Sequence, residues 1–228
     1  MARYSRLTVL TTMIEPGLVP LFYHGDVEVA TRIVEACLDG GAHCMEFTNR
    51  DDRAIRVFEQ LVRRFEDDAR LVLGVGSVVD LGTATLYIQL GTNFVVGPTL
   101  NAEVARVCNR RKVAYIPGCG TVTEISQAEE LGVEICKFFP GRHIGGPAFI
   151  KSIRGPMPQT RIMPTGGVMP TKENIRDWFE VGVAAVGIGS RLITKEAIAS
   201  GDCATITKGV RQVLAWIQDI RGDAPIPD

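Results

Sequence analysis

Short β-rich runs and amphipathic helical stretches alternate along the whole chain, and this alternation constrains the fold more than any other feature. The runs recur roughly every 20 to 25 residues. They predict strands at 18–23, 43–48, 71–75, 94–96, 114–117, 135–138, 161–163 and 185–187. The helical pattern is clearest at 27–39, 51–66, 79–89, 102–109 and 208–220. Such alternation predicts parallel strands joined by crossovers.

Eight such units in 228 residues fit a closed barrel better than an open sheet. The predicted fold class is therefore α/β, a (β/α)8 TIM barrel, with a doubly wound open sheet as the alternative that periodicity leaves open. The sequence contains no linker, low-complexity block or second domain. We expect one domain over 1–228, with an N-terminal extension, a C-terminal helix and a frayed tail at 224–228.

Charge and cysteine usage narrow the classes of function. Lys and Arg total 25 against 26 Asp and Glu, a formal net charge of −1. This balance offers no bulk attraction for nucleic acid or an anionic membrane, so we expect neither partner. The six cysteines form no CxxC pair, and no stretch approaches the roughly 18 apolar residues of a membrane span. These features predict a cytoplasmic protein whose function lies in a pocket.

Two ionisable residues lie inside apolar predicted strands, Glu46 in the second and Lys137 in the sixth. Burial disfavours the charged form of an unpaired ammonium, and a nucleophilic amine must be neutral. A lone strand lysine more often extends its head to water or pairs with a carboxylate. A buried ion pair alone, however, is a poor stability device. Two such groups near the barrel mouth, where barrel active sites lie, predict catalytic machinery.

Glycine pairs follow the last two predicted strands, in Thr165-Gly166-Gly167 and Gly187-x-Gly189-Ser190. Glycines let backbone amides approach an anion closely, and these loops often bind phosphate in barrels. A single pair is more often an ordinary turn. The position of both pairs, with two hydroxyls beside them, favours an anion site.

Metal and nucleotide cofactors are not predicted. The three histidines, His24, His43 and His143, come from distant segments without the spacing of zinc ligands. The glycines at 74 and 76 lack the remainder of a dinucleotide fingerprint.

Five motifs occur in order: EFTNR at 46–50, GVGSV at 74–78, PGCGT at 117–121, KFFP at 137–140 and PTGG at 164–167. Together they resemble the 2-keto-3-deoxy-6-phosphogluconate (KDPG) and 4-hydroxy-2-oxoglutarate (KHG) aldolases, which are class I, Schiff-base enzymes. The resemblance extends from about residue 18 to residue 192, and KFFP and PTGG are its most specific parts.

The resemblance implies an α/β barrel, usually a homotrimer, that cleaves a 2-keto-4-hydroxy acid to pyruvate and an aldehyde, as in the Entner–Doudoroff pathway. It implies no cofactor beyond the imine on the enzyme's lysine. By position, Lys137 matches the Schiff-base lysine and Glu46 the general acid/base. The matched substrate-binding residues are Arg50, Ser77, Phe139, Thr165, Gly166, Gly167, Gly189 and Ser190.

Three departures from the family pattern stand near the expected site. Ser77 replaces a threonine and keeps its hydroxyl, and Asn49 replaces a leucine. Pro140 is followed by Gly141, Arg142 and His143 rather than by a small residue and an acid. Arg142 and His143 are candidates for contact with the far end of the substrate, whose length and phosphorylation the sequence leaves open.

Other functions fit parts of the pattern. A metal-dependent barrel aldolase or decarboxylase acting on pyruvate-like acids would need clustered ligands, which the sequence does not offer. A sugar-phosphate isomerase or epimerase would share the glycine loops. A non-catalytic phosphosugar-binding barrel would need neither Glu46 nor Lys137. The class I aldolase is the prediction that uses every motif.

Overall fold

The computed structural model describes residues 2–222, in which parallel strands alternate with helices. The strands are β1 (Leu18–Phe22), β2 (Cys44–Thr48), β3 (Val72–Gly76), β4 (Phe94–Val96), β5 (Ala114–Ile116), β6 (Gly118–Cys119), β7 (Cys136–Phe138), β8 (Ile162–Pro164) and β9 (Val186–Ile188). The helices are α1 (Arg6–Ile14), α2 (Val27–Asp39), α3 (Ala54–Arg64), α4 (Leu81–Gln89), α5 (Ala102–Arg111), α6 (Val122–Glu130), α7 (Gly146–Ile153), α8 (Lys172–Glu180), α9 (Lys195–Ser200) and α10 (Cys203–Arg221), with a 3-10 helix at Gly141–Ile144.

Two curled parallel sheets contain these strands. Six strands pair in the order β5-β4-β3-β2-β1-β9, and three in the order β6-β7-β8. A parallel bridge joins Thr165 to Gly187, and the Ala184 amide donates to the Ile162 carbonyl at 2.9 Å. Only Pro117 separates β5 from β6, and proline cannot donate to a strand ladder. Every strand pair is parallel, which places the C-terminal ends of the strands at one edge.

The apolar core has two parts. One part lies between the strands and the surrounding helices. The other contains strand residues such as Val19, Phe94 and Met163 together with Val9 and Met13 of α1. The apolar face of α1 thus packs on the strand interior. Ser5 begins this helix by accepting a hydrogen bond from the Thr8 amide.

Helix caps follow the sequence closely. Asp26 accepts from the amides of Glu28 and Val29 at the start of α2, and Asn101 does the same for α5. Threonines cap α6, α8 and α9. Short polar side chains at these positions satisfy amides that have no partner inside the helix. In the described part of the chain, no helix is long and apolar enough to cross a membrane.

The parallel α/β fold predicted from the sequence is confirmed. The helix at 27–39 and the strand at 94–96 have the predicted bounds, and the other strands differ by one residue at one or both ends. The strand predicted at 114–117 ends one residue earlier, at Ile116, because the ladder breaks at Pro117. The helix predicted at 208–220 begins earlier, at Cys203, where Asp202 caps it. The tail at 224–228 lies outside the described residues.

Candidate active site

β7 and β2 bring Lys137 and Glu46 together. Lys137 Nζ and Glu46 Oε2 are 3.8 Å apart, although their strands belong to different sheets. Lys137 is 6% exposed and Glu46 is fully buried. The two side chains therefore meet across the concave interior of the strands. An ammonium and a carboxylate this deeply buried are costly for folding, which favours a functional reason for the pair.

Glycines make the room in which these groups lie. A Cβ on Gly76 would collide with the carboxylate of Glu46, and one on Gly187 would lie 2.5 Å from Thr165 Oγ1. Both glycines belong to buried strands, where a missing side chain otherwise weakens packing. The missing side chains thus leave the space that the Glu46 carboxylate and the Thr165 side chain occupy.

Three buried oxygen atoms line this space without a protein partner. Among residues 2–222, no donor reaches Glu46 Oε1, Glu46 Oε2 or Thr165 Oγ1 within hydrogen-bond distance. Buried polar atoms are nearly always hydrogen-bonded, and each exception needs an explanation. A bound molecule with hydroxyl and carboxylate groups would provide partners for all three.

Phe139 forms a wall beside the lysine. Its ring centroid lies 5.3 Å from Lys137 Nζ, within the range of a cation–π contact. The preceding Phe138 points into the outer core and stacks on Phe149 at 4.7 Å. The Thr165 amide donates to the Phe138 carbonyl at 3.0 Å. The KFFP and PTGG segments therefore lie side by side.

The β2 and β3 ends contribute Arg50 and Ser77. Arg50 is exposed after β2, and Ser77 is half-buried after β3 with a φ of 61°. A non-glycine residue in this left-handed region is strained, and such strain often marks functional sites. The Asn49 side-chain oxygen accepts a hydrogen bond from the Tyr87 hydroxyl at 2.9 Å, and the Asn49 backbone amide donates to the Gly76 carbonyl. Its side chain is thus engaged with α4.

The glycine loops lie after β8 and β9. Gly166 and Gly167 have φ of 84° and 89°, values that favour glycine. Among the described residues, no carbonyl accepts from the amides of Gly166, Gly167 or Ser190. The next helices begin only at Lys172 and Lys195, after their threonine caps. The loop amides themselves, rather than a helix N-terminus, are available to an anion. Gly189 packs closely on Leu21.

The sequence reasoning missed the role of Gly76, which gives the Glu46 carboxylate its space. Two glycines at alternate positions of one buried strand, Gly74 and Gly76, could have indicated that other side chains need space there. Gly74 faces the Phe94 ring in the same way. In residues 2–222, no group of three or more His, Cys, Asp or Glu residues is arranged to hold a metal ion.

A lysine and a carboxylate buried together among parallel strands are the arrangement expected of a lysine-based α/β enzyme. The family described as KDPG and KHG aldolase matches residues 9–209. The 2-dehydro-3-deoxy-phosphogluconate aldolase of Treponema pallidum is 31% identical over 91% of this chain and 97% of its own. The KHG/KDPG aldolase of Escherichia coli K12 is 28% identical over 92% and 95%.

Among solved structures, the KDPG aldolase of Legionella pneumophila superposes with a TM-score of 0.82. It is 29% identical and covers 90% of this chain and 97% of its own, and it was solved with pyruvate captured at low pH as a covalent carbinolamine. The chain belongs to the KDPG and KHG aldolase family. The family and the lyase class predicted from the sequence are confirmed, whereas the roles of individual residues stay predictions.

Proposed function

We propose that this protein is a class I aldolase that cleaves KDPG, KHG or both to pyruvate and an aldehyde. The aldehyde is glyceraldehyde 3-phosphate from KDPG and glyoxylate from KHG. The observation that carries the proposal is the Lys137–Glu46 pair, 3.8 Å apart and buried. The carbinolamine captured in the Legionella relative supports the covalent route. Cleavage of KDPG would place the enzyme in the Entner–Doudoroff pathway.

The reaction begins when neutral Lys137 attacks the C2 carbonyl of the keto acid. Glu46 transfers protons as the carbinolamine forms and loses water to give a protonated imine. The C4 hydroxyl then loses its proton to Glu46, directly or through a water, and the C3–C4 bond breaks. Its electron pair moves into the imine and leaves an enamine. Protonation at C3 and hydrolysis release pyruvate and restore the lysine. Acid/base help of this kind is worth about 10² to 10⁴ in rate.

The binding residues form two groups, one for each end of the substrate. Arg50, Ser77 and Thr165 hold the carboxylate end near the imine, and Phe139 forms the wall beside it. The unpaired Thr165 hydroxyl supports this assignment. Gly166, Gly167, Gly189 and Ser190 hold the other anionic end through backbone amides and a hydroxyl. The unpaired amides of Gly166, Gly167 and Ser190 support the second assignment.

The same proposal extends to architecture. We propose a closed (β/α)8 barrel, which is supported by the separation of β5 from β6 at Pro117 alone and by the Thr165–Gly187 bridge between the two sheets. The barrel and its terminal helices make a single domain over 1–228. The matches to relatives along more than 90% of the chain support one domain.

We propose a homotrimer as the working assembly. Apolar side chains that are unusually exposed support it: Val79, Leu81, Leu86 and Val122 lie on α4, on α6 or in the loop before α4. Exposed apolar clusters often mark interfaces. A cytoplasmic location is supported by the six free cysteines, five of them buried.

Pyruvate release tests the function directly. Purified enzyme is given KDPG, its C4 epimer or KHG, and pyruvate is measured with lactate dehydrogenase and NADH. We expect pyruvate from at least one substrate, at a rate that EDTA leaves unchanged, and kcat/KM then ranks the three. Activity abolished by EDTA, or no pyruvate from any of them, would overturn the proposal.

A further inference from the structure

We propose that Arg142 binds the anionic group at the far end of the substrate and thereby sets the preference among 2-keto-4-hydroxy acids. This inference rests on the proposed aldolase function and adds a specificity-determining side chain to it. The recognised chemistry is an anion, either a terminal phosphate or a terminal carboxylate. Arg142 lies in the loop after β7, five positions beyond Lys137.

Backbone hydrogen bonds fix this loop against the loop after β8. The Gly141 amide donates to the Thr165 carbonyl at 2.9 Å, and the Arg142 amide donates to the Gly166 carbonyl at 3.0 Å. The Arg142 backbone is therefore tied to the segment whose amides are unpaired. A side chain anchored in this way loses less entropy when it binds than one on a free loop.

The stem of Arg142 lies directly across Gly167. A Cβ on Gly167 would lie 3.1 Å from Arg142 Cδ and 3.2 Å from Cγ, and closer still to Cβ. Gly167 also has a φ of 89°, so a side chain here would be strained as well as crowded. The missing side chain at Gly167 is what allows the arginine to cross the anion loop.

The loops around Arg142 contain basic residues and no acidic residue. The loops at 139–145, 165–171 and 189–194 contain Arg142, His143 and Arg191 but no Asp or Glu. The loops after β1, β2 and β3 contain Asp26, Asp51, Asp52 and Asp80, of which Asp51 and Asp52 stand between Arg50 and Arg53. Arg142 is exposed and forms no ion pair among residues 2–222.

Arg142 has its backbone and stem fixed beside unpaired loop amides, and its guanidinium is a good partner for a phosphate or carboxylate. Arginine binds such groups through two parallel hydrogen bonds, which adds geometric selection to charge. The pyruvoyl end of the substrate is fixed by Lys137, so the far end reaches the mouth. Backbone amides alone would bind many kinds of substrate end, whereas Arg142 would select substrates whose far end is anionic.

The test compares Arg142→Met with the wild type on three substrates: KDPG, KHG and unphosphorylated 2-keto-3-deoxygluconate. We expect kcat/KM to fall about 10- to 100-fold for KDPG, mainly through KM, and to stay unchanged for the uncharged-ended analogue. A similar fall of kcat/KM for KHG shows that Arg142 also binds a terminal carboxylate. An unchanged kcat/KM for KHG shows that Arg142 binds only a terminal phosphate. Arg142→Lys should restore part of the loss.

Arg53→Met is the matched control, because it removes the same charge from an exposed residue after β2. It should leave kcat/KM for KDPG unchanged. Equal losses in the two variants, or equal losses on the charged and uncharged substrates, would overturn the role of Arg142. Pyruvate trapping with borohydride separates this from failure of the aldolase function. If the wild-type enzyme forms the adduct, the proposed aldolase function stands even when Arg142 has no effect. If it forms no adduct, the proposed function itself fails.

Discussion

The carboxylate of Glu46 is buried with no hydrogen-bond donor among the described residues, and its nearest cationic atom is Lys137 Nζ at 3.8 Å. Folding alone does not favour such a group, because its hydration is lost and poorly replaced. Gly76 has no side chain, and this leaves room for the carboxylate. Single positions of the chain thus lose stability by keeping two ionisable groups inside the strands, as expected if these groups are functional.

Glu46→Gln tests that view. The shape is kept and the buried charge disappears, so we expect the free energy of unfolding to stay the same or rise. Turnover should fall by about 10² to 10⁴, because the amide transfers no protons. Urea unfolding and the pyruvate assay measure the two quantities. A variant that unfolds much more easily would show that the carboxylate is structural.

Ser77→Gly separates strain from binding. Ser77 has a φ of 61°, and glycine adopts this conformation without strain, so we expect about 1 kcal/mol more stability. Loss of the hydroxyl should raise KM for the keto acid. Lys112→Gly is the control, because Lys112 has a φ of 55° at the exposed end of α5 and should gain stability without a change in KM. An unchanged KM for Ser77→Gly would rule out its contact with substrate.

Elements far from the chemistry hold the strands in register. Arg221 at the end of α10 donates to the carbonyls of Ile14, Glu15 and Ala184 at 2.6 to 2.8 Å. Its guanidinium lies 4.7 Å from the Phe179 ring centroid, and burial lowers its pKa from the ordinary value. One side chain thus joins the C-terminal helix to the segment before β1 and to the one before β9.

Arg221→Ala should therefore destabilise the fold by about 2 to 3 kcal/mol, because several carbonyls lose a charged donor. Arg211→Ala is the control, since Arg211 is exposed on the same helix and makes one bond, to the Asp39 carbonyl. It should change stability by less than about 0.5 kcal/mol. Urea unfolding compares the two. Similar losses would contradict a special role for Arg221, and both variants should keep their kcat.

The sequence predicts elements and reactive residues better than it predicts what surrounds them. Lys137 and Glu46 were identifiable because charges are rare in apolar strands. Contacts between distant segments were not: α1 packing on the strand interior, Gly76 beside Glu46, and Arg142 across Gly167 all depend on three-dimensional closure. The break at Pro117 was missed by the predicted strand at 114–117, although proline lacks the amide that a ladder requires.

For the whole molecule, the arrangement of charge and apolar surface suggests separate uses of the rim. The loops after β7, β8 and β9 are cationic and glycine-rich, which suits an anionic substrate end. The exposed apolar side chains lie elsewhere, at Val79, on α4 and at the start of α6. The proposed subunit contact would then lie away from the loops after β7, β8 and β9, and it would come near the substrate site only in the loop after β3, which contains both Ser77 and Val79.

A double variant, Leu86→Glu with Val122→Glu, should convert the proposed trimer to monomers, because buried carboxylates would face each other across the interface. Leu7→Glu is the control, since Leu7 is 77% exposed but lies on α1. Sedimentation velocity gives the assembly mass. A wild-type protein that sediments as a monomer at micromolar concentration would refute the trimer.

The central claim is that Lys137 carries the substrate as an imine, and borohydride trapping tests it most directly. The enzyme is incubated with pyruvate, reduced and digested with trypsin. We predict one reduced pyruvate group on Lys137, which blocks cleavage there and gives a single peptide spanning 113–142 in place of two. Lys137→Ala should give no adduct and no turnover. An adduct on another lysine, or turnover without any adduct, would contradict the account.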